Sequence, residues 1–251
     1  MASGHKKGMP QSPHPYLFDP RLRIQRGAGR RSPQSKTMHR EVIQRMKHVA
    51  ESWQGLIQGL VTWVSHGYCF VCKTHYPDHK DEHAIDEKLI RKYRADLEKT
   101  KRWRVRKETG AAMFALIRLR GTAYLLHTDG VLPSVYDDRF IDLRKEPLAV
   151  RVSASLVFEI SVKNGKTDVC LSRRTYEWME AGLTDAVQTR SKTRIIAQFE
   201  RLNGLPAYHG IVAQKVAIAK WLLHEAHSRA IWVGRKDLRV STRRRITRVY
   251  V

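Results

Sequence analysis

The chain has 251 residues, 42% of them hydrophobic, which is enough for one large or two small domains with a buried core that does not depend on disulfides or metals. Its 47 Lys and Arg against 24 Asp and Glu leave a formal charge of +23, far from the near-neutral balance of most cytosolic enzymes. Such a surplus repels itself and points to a polyanionic partner, either nucleic acid through its phosphates or an anionic lipid surface.

No apolar run approaches the roughly 20 residues needed to span a bilayer. Three cysteines, Cys69, Cys72 and Cys170, are too few and too uneven for a secreted disulfide scaffold. A reducing compartment, cytoplasmic or nucleoid-associated, is therefore expected.

Residues 1–36 mix Lys6, Lys7, Arg21, Arg23, Arg26, Arg30 and Arg31 with Gly, Pro, Ser and Gln and hold one acid, Asp19. That composition predicts a flexible basic arm. An arginine-rich, acid-poor N-terminus also suits organellar import, although Pro10, Pro13, Pro15, Pro20 and Pro33 oppose the amphipathic helix of a presequence.

From Thr37, residues Val42, Met46, Val49, Trp53, Leu56, Leu60 and Val64 recur three and four apart, which predicts one long helix ending at His66-Gly67. Gly55 and Gly59 within it require a close neighbour, the sheet or a partner subunit. A second helix is expected from about Asp78 to Thr100, with Ile85, Leu89, Tyr93 and Leu97 on one face. The pattern then turns strand-like. Met113–Leu119 and Thr122–His127 read as strands joined at Arg120-Gly121, with weaker strands at 140–143 and 148–152. Leu156–Val162 and Thr167–Leu171 flank Asn164-Gly165, the pair that suits a type I′ hairpin turn. Helices follow over 176–187, 192–202 and 209–228, the last with Lys215 off its apolar face. Residues 231–251 read as a second basic tail. The expected fold is α+β: a mainly antiparallel sheet of about five strands packed with N- and C-terminal helices in a core over 37–230, flanked by basic flexible arms.

The stretch from Cys69 to Lys107 holds the main functional candidates. Cys69 and Cys72 have the two-residue gap that turns both sulfurs toward one ion, and His79 and His83, four apart, share a helix face. Together they predict a knuckle at 69–83 holding one structural zinc ion, with His75 as a substitute ligand; the competing reading is a pair of buried thiols beside solvated histidines. Lys101, Arg102, Trp103, Arg104, Val105, Arg106 and Lys107 alternate charge and bulk as an extended strand would, with Arg102, Arg104 and Arg106 lining phosphates. Trp103 is placed to stack on a base or to rim the core. Arg118 and Arg120 extend the same patch, and Arg243, Arg244 and Arg245 add contacts from the tail.

Tyr124, His127 and Asp129 lie close in sequence, and a tyrosine with histidines resembles the nucleophile and metal ligands of rolling-circle replication initiators and relaxases, although no His-x-His pair accompanies it. No phosphate-binding Gly-x-x-x-x-Gly-Lys-[Ser/Thr] loop is present. The pair of helices over 192–202 and 209–228 is too long in its connection and too apolar in its second member for a helix-turn-helix. The expected function is nucleic-acid binding through the phosphate backbone, DNA or RNA, largely without sequence specificity and without catalysis. The alternatives are a metal-dependent nuclease or replication and mobilisation enzyme of a mobile element or phage, and a structural component of a ribonucleoprotein assembly.

Overall fold

The computed structural model of the protein describes residues 48–133, 136, 138–243 and 246–250. The expected N-terminal arm, residues 37–47 of the expected first helix, and Arg244 and Arg245 lie outside them.

The first helix, α1, spans Trp53–Ser65. The apolar period that runs back to Val42 does not set its start: the Ser52 hydroxyl accepts from Gly55 N (3.1 Å) and caps it, while Val49 bridges Arg118 and Ala50 bridges Tyr250 as extended chain. The helix ends at His66, with Gly67 at φ +90°. Both glycines have the close neighbours they require. A Cβ on Gly55 would lie 2.7 Å from Arg248 O, and one on Gly59 would lie 2.4 Å from Ile117 Cδ1.

Strand β1, Phe70–His75, occupies the stretch expected to form the knuckle. It is central in an antiparallel sheet of order β2-β3-β1-β4, with β2 Phe114–Leu119, β3 Thr122–His127 and β4 Ile141–Asp142. A second antiparallel sheet has the order β5-β6-β7, with β5 Leu148–Arg151, β6 Val157–Lys163 and β7 Lys166–Leu171. The fold is thus α+β with two antiparallel sheets of four and three strands, which corrects the expected single sheet of about five. Asn164 (φ 51°) and Gly165 (φ 72°) make the predicted tight turn, with Lys163 opposite Lys166.

The four-stranded sheet is covered on both faces, so β2 and β3 are continuous apolar runs and not alternating ones. One face presents Val71, Ala115, Ile117, Tyr124 and Leu126 to the core that contains Leu56, Ile57 and Leu60 of α1. The other presents Phe114, Leu116, Ala123 and Leu125 to α2, Glu82–Tyr93, which contributes Ile85, Leu89, Ile90 and Tyr93. Asp81 caps α2 by accepting from His83 N (3.0 Å).

The second sheet joins the same main core. Trp53 stacks on Phe158 at 5.5 Å, a pairing worth about 0.5–1.5 kcal/mol beyond its burial, and Val162 N donates to Leu143 O (2.9 Å). Helices α4 Arg173–Gln188, α5 Lys192–Asn203 and α6 His209–Ser228 complete it through Leu183, Ile195, Phe199, Ile211, Ile218 and Leu222. Asp168 accepts from Gly210 N (2.8 Å) at the start of α6, a carboxylate at the positive end of a helix. Gln214 exchanges two hydrogen bonds with the backbone of Leu171 and so covers the edge of β7.

The described part of the expected basic tail is anchored at several points. Ile231, Val233 and Leu238 are buried, and Asn203 binds the backbone of Arg239 and Ser241 through its amide. Residues 247–250 return along α1, where Thr247 N donates to Gln58 and the Tyr250 hydroxyl accepts from Trp63 Nε1 (3.2 Å).

Candidate nucleic-acid interface

The stretch expected to run on as helix to Thr100 and then as strand breaks differently. Arg94, left-handed at φ 52°, ends α2, and a new helix, α3, spans Lys99–Thr109 and is closed by Gly110 at φ 64°. Residues 101–107 are therefore helical, and Arg102, Arg104 and Arg106 do not share a face. At 100° per residue Arg102 and Val105 turn toward the body, while Lys99, Lys101, Trp103, Arg104, Arg106 and Lys107 are exposed.

Arg102 is the anchor of this helix. Its guanidinium donates to Leu97 O, Ala95 O (3.2 Å) and the Tyr68 hydroxyl (3.1 Å), and it lies 5.0 Å from the ring centroid of Trp63. These contacts take three of its five N–H donors and turn the guanidinium toward the body, so Arg102 holds the helix in place.

The remaining cations are free of ion pairs among the described residues. Lys99, Lys101, Arg104, Arg106 and Lys107 have no carboxylate within bonding reach there, and the only acids of the segment are Glu98 and Glu108 at its two ends. Trp103 is 64% exposed, with the Lys107 ammonium 5.1 Å from its ring centroid. Lys88 and Arg91 are further exposed cations, carried by α2 on the polar face that its sequence predicts. The run of good helix formers over 99–107 with a glycine stop at Gly110 is the signal that joins Lys99 to the set.

Arg118 is placed elsewhere. It is 3% exposed, donating from Nε to Asp86 (2.8 Å) and from Nη1 to Glu82 and to Arg120 O. Asp86, itself 1% exposed, also accepts from His48 Nε2 (2.9 Å) and the Tyr76 hydroxyl (2.7 Å). Burial pushes the Asp86 carboxyl up, but these hydrogen bonds and the charges of His48 and Arg118 outweigh it and hold the group below the usual carboxylate range. Arg118 thus ties α2 to β2 from inside. Arg120 sits exposed at the β2–β3 turn with φ 50°, and Arg243 is exposed in the C-terminal segment.

The four expected zinc ligands are not brought together. Cys72 packs on the α2 side of β1, and Cys69 precedes the strand. Cys69 neighbours Arg144, Asp129 and Asp142, whereas Cys72 bonds Thr74 Oγ1 (3.8 Å) near Asp138 and Lys92. Burial raises the pKa of both thiols. His75, His79 and His83 are exposed. Among the described residues no group of three or more His, Cys, Asp and Glu side chains is arranged to hold a metal ion.

Tyr124, His127 and Asp129 are likewise separate. Tyr124 lies in the α1-side core, where burial pushes its hydroxyl up to about 12. His127 lies on the opposite face, stacked on Phe70 at 4.6 Å and edged by Phe140, and burial lowers its basicity. Asp129 is exposed and paired with Arg144. No helix among the described residues is long and apolar enough to cross a membrane. No protein-family model, curated protein or solved structure matches the chain.

Proposed function

We propose that the protein binds nucleic acid through its phosphate backbone, largely without regard to sequence, and that α3 is the principal contact surface. The observation that carries this reading is a single exposed helix bearing Lys99, Lys101, Arg104, Arg106 and Lys107 with no ion pairs among the described residues. Unpaired cations cost little to keep in water but repel one another, and a phosphate chain relieves that repulsion while releasing its own condensed counterions. The surplus is a property of the whole chain, at +23, and not of this helix alone.

Arg102 matters here by placement. It fixes α3 against Tyr68 and Trp63, so the outward cations ride on a supported element and not on a loop. Arg120 and Arg243 are further exposed cations available to phosphates.

The test is a titration of the full-length protein, stripped of carried-over nucleic acid by high salt and nuclease, with labelled DNA and RNA of unrelated sequences across a salt series. Similar affinities for unrelated sequences and a steep fall of affinity with salt support the reading. Absence of binding at low salt ends it.

A further inference from the structure

We infer that α3 selects single-stranded over duplex nucleic acid, with Trp103 stacking on an unpaired base while Lys99, Arg104 and Lys107 hold the adjoining phosphates. This rests on the nucleic-acid reading above and adds a substrate class to it. Arg102 and Val105 are the two residues of α3 that turn inward, and Trp103 stands on the outward side. Lys99 and Lys107 lie four residues before and after it, so each is one turn away along the same face, about 6 Å along the axis.

An indole 64% exposed to water at the centre of a cationic face is a costly place for the largest apolar side chain, unless its flat surface has a use there. The charge around it argues against an apolar protein partner, because α3 buries none of its own residues and offers no contiguous apolar patch for one to cover. A nucleobase meets both requirements, with a π-face for the indole and a phosphate on each side for the lysines. The Lys107 ammonium lies over one face of the Trp103 ring, 5.1 Å from its centroid, so a base stacks on the other face or takes this one as the flexible Lys107 chain swings out to a phosphate.

A duplex gives Trp103 little, since its bases are already stacked on one another and present only their ends. The indole therefore contributes to single-strand binding and hardly to duplex binding, whereas the cations contribute to both. That difference separates the two readings by experiment.

The full-length protein and its Trp103→Ala and Trp103→Phe variants are titrated with labelled oligo(dT), oligo(U) and a blunt-ended duplex of the same length at one salt concentration. Trp103→Ala is expected to weaken single-strand binding about tenfold and to leave duplex binding within about twofold, the scale of one base–aromatic stack. Trp103→Phe should recover most of the loss, and the fluorescence difference between wild type and Trp103→Phe should quench on addition of oligo(dT). The inference is overturned if Trp103→Ala binds single strands as well as the wild type does, or if it loses single strands and duplex equally. Response of Trp103 to phosphatidylserine vesicles in place of oligo(dT) also overturns it, and assigns the face to a membrane surface. A wild type that binds no nucleic acid removes the general reading too, while intact binding with an inert Trp103 removes this one alone.

Discussion

The guanidinium of Arg102 lies 5.0 Å from the ring centroid of Trp63, whose indole N–H in turn donates to the Tyr250 hydroxyl. One arginine of the most basic stretch is thereby spent on structure, and it joins α3, α1 and the end of the chain. Arg102→Ala removes the cation–π contact and leaves Ala95 O and Leu97 O without their donor. The expected cost is about 1–3 kcal/mol in urea unfolding. Arg102→Lys should recover little, because an ammonium does not reproduce the planar fork that reaches Leu97, Ala95 and Tyr68 together.

Arg104 and Arg106 are exposed and unpaired among the described residues, so their substitution separates charge from stability. The double variant Arg104→Glu, Arg106→Glu should unfold within about 0.5 kcal/mol of the wild type. It should lose affinity for every nucleic-acid sequence and flatten the slope of log affinity against log salt by about 2, one for each phosphate that is no longer neutralised. An unchanged slope, read by anisotropy across a salt series, removes α3 from the binding surface.

Asp86 carries a stability prediction with a defined pH direction. Its folded pKa is held below the usual range, so the stability it contributes is present above the unfolded value of about 3.9 and is lost as pH falls through the folded one. Asp86→Asn leaves Arg118 buried beside a neutral amide and should cost about 3–5 kcal/mol at neutral pH. The gap between wild type and variant should begin to narrow below about pH 4 and close as pH falls through the folded value, where the wild-type carboxyl also protonates. A gap independent of pH would mean that shape, and not charge, is what Asp86 supplies.

Lys215 gives a slope of the same sign at the alkaline end. It is 0% exposed and donates to Asn203 O (2.9 Å) and Leu205 O (2.6 Å), where burial lowers its pKa to about 8 while the charge of Glu200 opposes the shift. Between about 8 and the ordinary 10.5 the unfolded chain holds a proton there that the folded chain has released. Stability contributed by this group should therefore rise with pH across that window, by up to about 1.4 kcal/mol per unit. Thermal unfolding of wild type and Lys215→Met over that range checks it, the variant lacking this component of the slope.

What is legible in the sequence follows from how local the cause is. Asn164-Gly165 specifies its turn by backbone conformation alone, and the hairpin forms as read. The helices from residue 173 onward have apolar faces wide enough to fix their period, with the exception of Lys215, whose burial depends on two carbonyls from another helix's end. The run 101–107 reads as a strand because its charge and bulk alternate, while the helix it forms buries so little that no apolar period records it. Lys and Arg are good helix formers, and here propensity is the better guide. β1 is hidden behind a cysteine spacing that also suits a metal knuckle, and its own pairing with β3 is set some fifty residues away by Phe70 opposite His127. Trp103 stands out in the sequence, but its exposure depends on which way Arg102 turns.

The two glycines of α1 provide a test of how the C-terminal segment is held. Alanine favours a helix interior over glycine by up to about 1 kcal/mol, so either Gly→Ala change would stabilise α1 if space allowed. At Gly59 the new Cβ meets Ile117 Cδ1 at 2.4 Å and Val249 Cγ1 at 2.9 Å, side-chain atoms that can turn aside. At Gly55 it meets Arg248 O at 2.7 Å and Val249 O at 3.1 Å, backbone that cannot move without displacing the segment. Gly55→Ala should therefore destabilise by about 1–3 kcal/mol and exceed Gly59→Ala in cost. In a chain shortened to end at Arg245 the obstruction is gone, and Gly55→Ala should turn neutral or stabilising. Equal effects of Gly55→Ala in the full and shortened chains, measured by urea unfolding, would mean that residues 246–250 do not lie against α1.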